Sequence, residues 1–97
     1  MMVGVCHIEL RLPENGSLKG KRQVVKSIVA RVQNKFGVAI AEVDNNDVWQ
    51  IASLGVACVS GSRAHAEEVL QNVVRYVEAT RPDLELLDYE LEILQGL

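Results

Sequence analysis

The sequence predicts an α+β fold of order β-α-β-β-α-β: a four-stranded antiparallel sheet with two helices on one face. Three observations carry this expectation. Two long segments repeat apolar side chains at helical spacing, and four others are apolar, alternating or β-branched runs of strand length. Clusters of Gly, Pro, Asn, Asp and Ser separate them.

Residues 2–12 read as the first strand, since Cys6, Ile8, Leu10 and Leu12 alternate with His7, Glu9 and Arg11 and so bury one face. Pro13-Glu14-Asn15-Gly16 ends it. Ser17 suits a helix N-cap, because its hydroxyl can accept from an unpaired N–H of the first turn. From Leu18 to Phe36, the stripe Leu18, Val25, Val29, Val32 and Phe36, with Val24 and Ile28, defines the first helix. Gly37 fits its C-terminal end, where positive φ is needed.

Val38 to Val43 reads as a short strand, Asp44-Asn45-Asn46-Asp47 as a turn, and Trp49 to Val59 as a longer strand. Ser60-Gly61-Ser62 then supplies a break and a cap. Ala66, Val69, Leu70, Val73 and Val77 line a second helix reaching about Thr80, where Arg81-Pro82-Asp83 stops it. Leu87, Tyr89, Leu91 and Ile93 alternate with Asp88, Glu90 and Glu92 in the last strand. This order is the split βαβ, or ferredoxin-like, pattern, whose right-handed crossovers bring both helices to one face.

Composition narrows the function classes. The 97 residues fit one domain, 1–97, and 48% hydrophobic with 24% charged residues is ordinary globular usage. Aromatics make up only 4%, so the core is expected to be aliphatic. No apolar run approaches the ~18–20 residues of a membrane span, and the N-terminus lacks a signal-peptide pattern. With two cysteines, Cys6 and Cys58, in strand-like runs, a cytoplasmic protein without disulfides, and with no membrane partner, is expected. Cys6, His7, Cys58 and His65 lack metal-ligand spacing, so no metal and no cofactor is expected.

The net charge of −3 hides an asymmetry. Residues 1–48 hold seven Lys and Arg against five Asp and Glu, whereas residues 49–97 hold three against eight. The basic character concentrates in Ser17-Leu18-Lys19-Gly20-Lys21-Arg22 and Lys26. Cations in a first turn oppose the helix dipole, so a sequence shaped by folding alone favours Asp or Glu there. Ser17, Lys19, Lys21, Arg22 and Lys26 are therefore the candidate anion- or RNA-binding residues; a solvated charged face and a protein-binding surface are the competing readings.

The sheet's other face is expected to carry Val3, Val5, Val38, Ile40, Trp49, Ile51 and Leu86 beside His7, Glu9, Arg11, Glu42 and Glu90. That is apolar enough to suggest a partner surface, a second copy being the commonest occupant. Val3, Val5, Val38, Ile40, Trp49 and Ile51 are the candidate interface of a homodimer. Glu42 and Asp44, two apart on one strand, read either as an acid–base pair or as a solvated strand end.

Enzyme signatures fail on inspection: there is no G-x-S-x-G, P-loop or G-x-G-x-x-G. The aromatic strand signatures of RNA-recognition domains are missing as well, so base stacking on the sheet is not expected. No catalytic residue is assigned, and a non-enzymatic protein is expected.

Ser17 to Arg22 with Val25 and Ser27, then Ala41-Glu42-Val43, Asp47-Val48-Trp49-Gln50 and Leu54-Gly55-Val56 resemble the YlxP-like family of small bacterial domains. The resemblance covers nearly the whole chain, and Gly20 is its least expected residue, one that loosens a helix start. It implies a ferredoxin-like fold and a genomic association with transcription, translation initiation and ribosome maturation. It supplies no catalytic residues. The expected function is thus a non-enzymatic RNA- or ribosome-associated binding protein acting through the basic first helix. The alternative is a dimeric regulatory domain for a small anion or nucleotide.

Overall fold

The computed structural model describes residues 1–97. Six elements follow in the expected order: β1 (Met2–Arg11), α1 (Leu18–Phe36), β2 (Ala39–Asp44), β3 (Ile51–Ser60), α2 (Arg63–Thr80) and β4 (Glu85–Gln95). The strands form one antiparallel sheet of order β2-β3-β1-β4. No helix is long and apolar enough to cross a membrane.

The caps act as their side chains dictate. Ser17 Oγ accepts from Gly20 N at 3.0 Å, Ser62 Oγ accepts from His65 N at 3.3 Å, and Gly37 closes α1 at φ 64°. Burial alternates along β1, with Cys6, Ile8 and Leu10 inward. These side chains join Leu54 and Val56 of β3, Val25, Ile28 and Val32 of α1, and Leu70, Val73 and Val77 of α2 in one core cluster. Full burial of each such side chain contributes about 1.5–3 kcal/mol. The only aromatic pair, Phe36 edge-on to Tyr76 at 5.5 Å between centroids, closes the gap between the helices.

Three strand assignments differ from the sequence reading. Val38 and Ile40 are buried under the helices, so β2 has the opposite phase from that expected, and Ala39, Ala41 and Val43 take the open face. Leu86 pairs with Leu10 and packs against the core. Trp49 lies before β3, in an exposed turn. Both faces of β2 are apolar, so alternation alone does not fix its phase. The bulkier Val38 and Ile40 fill the space beneath α1, and the smaller alanines face outward.

Cys6 illustrates the core's dryness. Burial pushes its thiol from 9.0 up to about 11. The folded chain therefore holds this proton more tightly than the unfolded chain does. The stability tied to it is complete below pH 9 and is lost as pH rises through 11. Urea titrations across that window are expected to show a stability loss that Cys6→Ala removes. In a Cys58→Ser background, Ellman's reagent is expected to label Cys6 only after unfolding; prompt labelling of that folded variant contradicts this.

Candidate functional site

The basic start of α1 divides into two groups with opposite fates. Lys21 is fully buried. Its ammonium donates to the carbonyls of Asn45 at 2.7 Å, Asn46 at 3.1 Å and Ile51 at 3.2 Å. An ammonium has three protons, and these three carbonyls use them. Glu42 Oε2 lies 2.8 Å from Nζ but takes no well-formed hydrogen bond, so charge holds it there. Lys21 is thereby withdrawn from any anion-binding role. Its position in the sequence carried the signal, because Lys21, Val25, Ile28 and Val32 form one i, i+4, i+7, i+11 stripe, all buried.

Glu42 follows Ile40 to the helix side of the sheet to meet this lysine. Asp44 instead accepts from Asn45 N at 2.8 Å, and the ladder slips between these two acids. Val43 becomes the extra residue, with its side chain over Gly55 on the open face. Glu42, held beside Lys21, is therefore neither part of a solvated strand end nor paired with Asp44 as acid and base.

Lys21 is one tie of a clamp on the turn between β2 and β3. Asn45 adopts φ 57°, a left-handed conformation that Asn tolerates. Its carbonyl accepts from Val48 N as well as from Lys21. Its amide donates to Ser53 Oγ at 2.8 Å, and that hydroxyl donates to Glu9 Oε1 at 3.1 Å. Asn15 donates to the carbonyls of Ser17 and Trp49, and Leu12 N donates to Gln50 O at 2.8 Å. Gly20 now has a physical reason: a β-carbon there would sit 2.2 Å from Asn15 Oδ1, displacing the side chain that joins the turn to α1.

The second group faces solvent. Lys19, Arg22 and Lys26 are exposed, share one flank of α1 at i, i+3, i+7 spacing, and take part in none of the three ion pairs of the chain. Arg31 is likewise unpaired, and Lys35 lies over the rings of Phe36 and Tyr76. The helix holds six cations and no Asp or Glu. Ser17 serves as the cap.

The open face grades from apolar to acidic. Ala39, Ala57, Val5 and Glu92 make one row across the sheet, and Ala41, Gly55, His7 and Glu90 the next. The candidate interface keeps Val3, Val5 and Ile51, loses Val38, Ile40 and Trp49, and gains Ala39, Ala41, Val43 and Ala57. Cys6 and His7 point to opposite faces, and no group of three His, Cys, Asp or Glu side chains converges as a metal site would require.

A ferredoxin-like βαββαβ domain with one buried lysine clamp and one acid-free cationic helix is what these elements define. The chain belongs to the family described as protein of unknown function, DUF503, whose family model matches residues 3–91. It is 44% identical over 84 residues to the uncharacterized protein YlxP of Bacillus subtilis (strain 168), covering 87% of this chain and 90% of that one.

Among solved structures it is similar to a de novo designed protein with a ferredoxin fold, at TM-score 0.63 and 8% identity over 100% of this chain and 88% of that one. It is also similar to a protein of unknown function from Nitrosomonas europaea, at TM-score 0.55 and 12% identity over 100% and 91%. A cofactor-independent oxygenase from Streptomyces nogalater follows at TM-score 0.50 and 11% identity over 98% and 92%. At these identities the likeness shows the fold alone.

Proposed function

We propose that this protein binds RNA, in the setting of the ribosome or its maturation, through the exposed flank of α1. The observation that carries the reading is a 19-residue helix without one acidic side chain, whose exposed Lys19, Arg22 and Lys26 have no protein partner. Unpaired cations aligned on one rigid element suit a phosphate backbone, and their contacts release counterions. The small-anion alternative is weakened, because Lys21 and Ser17 are already engaged in the fold. Fluorescence anisotropy with ribosomal RNA or small subunits tests the proposal. Three phosphate contacts to single-stranded RNA give a slope of log affinity against log salt near about −2. Absence of binding, or binding indifferent to salt, overturns it.

We also infer that two copies meet through the open sheet face. Ala39, Ala41, Val43, Ala57 and Val5 form its smooth apolar part, and Glu90 and Glu92 border it as a polar rim. Light scattering after size exclusion is expected to give a dimer, and Ala57→Glu a folded monomer. A wild-type monomer at high micromolar concentration removes this inference.

A further inference from the structure

Trp49 is the only tryptophan in the chain. It is 45% exposed, and Val48 beside it is 41% exposed. Nearly half of this large apolar ring stays open to solvent at a turn tip, outside the core cluster. Yet its turn is held by the clamp described above, including a buried ammonium and the Asn15 amide on Trp49's own carbonyl. The ring lies beside the start of α1: a β-carbon at Gly16 would be 3.8 Å from Trp49 Cζ3, one residue before the Ser17 cap.

We infer that Trp49 is a stacking platform for an unpaired base of RNA whose phosphates lie along α1. The inference rests on the RNA-binding reading above and specifies single-stranded RNA as the partner. Charge and shape argue together. The helix flank offers positive charge without acids, so the backbone lies there. The turn carries Asp44 and Asp47, which repel phosphates, so what meets it is the uncharged face of a base. Every base has a π-face, and stacking on an exposed aromatic is therefore tolerant of sequence. A duplex keeps its bases stacked internally and offers only its terminal pairs. The clamp fixes the backbone of the turn in advance, so less ordering is lost on binding than a mobile loop would lose.

The sole tryptophan reports the contact directly. Titration with a short oligouridylate is expected to quench Trp49 emission at the same midpoint as anisotropy of a labelled strand. Trp49→Ala is expected to weaken binding at least about tenfold, and Trp49→Phe to retain most of it. Both variants leave the clamp intact, because Asn15 holds the backbone carbonyl of residue 49 and not its ring. If RNA binds with unchanged emission, if Trp49→Ala binds as wild type, or if blunt duplex RNA competes equally, the stacking inference falls and the helix reading stands. If no RNA binds at all, both fall.

Discussion

Replacing Lys21 with Met is expected to cost about 3–5 kcal/mol of stability, the range for removing one partner of a buried ion pair. The lost side chain leaves three carbonyls, those of Asn45, Asn46 and Ile51, without their donor. It also leaves Glu42 Oε2 buried beside an apolar group, with no hydrogen-bond partner of its own. Against total stabilities of about 5–15 kcal/mol, this one side chain governs a large share. Chemical denaturation followed by circular dichroism measures it. Lys21→Met combined with Glu42→Leu is expected to recover part of the loss by removing the stranded carboxylate. A cost below about 1 kcal/mol for Lys21→Met would mean that water replaces the ammonium and that the clamp is not dry.

The same lysine shows where the sequence was legible and where it was not. Element order, the Ser17, Ser62 and Gly37 caps, and the inward face of β1 all follow from local chemistry, because period and capping are properties of neighbouring residues. The fate of Lys21 depends on residues 24, 25 and 30 positions away, at Asn45, Asn46 and Ile51. A basic run reads as a basic surface until one member is seen to share the buried stripe of Val25, Ile28 and Val32.

The phase of β2 was hidden for a related reason. Val38-Ala39-Ile40-Ala41 is apolar on both sides, and Glu42 looked outward-facing because its partner was not evident. Trp49 opens the run that reads as the third strand, yet the turn extends through Gln50 and β3 begins at Ile51. Gly20, the least expected residue of the run, is explained by a contact with Asn15 that no helix-propensity argument contains.

Reversing two exposed charges, Lys19→Glu with Arg22→Glu, is expected to move stability and RNA affinity in opposite directions. Lys19 sits in the first turn of α1 with no acidic neighbour in that turn. A carboxylate there complements the helix dipole that the lysine opposes, adding about 0.3–1 kcal/mol. Neither side chain belongs to the core or to an ion pair, so nothing in the fold offsets that gain. Affinity for RNA is expected to fall roughly 100-fold, since each charge-assisted contact contributes about 1.5 kcal/mol or more and 1.4 kcal/mol is tenfold. The salt dependence is expected to flatten as the phosphate contacts vanish. A variant that melts higher and binds RNA as wild type would make this flank a solvated surface, with the cationic helix left to another role. A variant that melts higher and binds far more weakly separates function from folding at these two positions, because a purely structural role cannot produce both shifts.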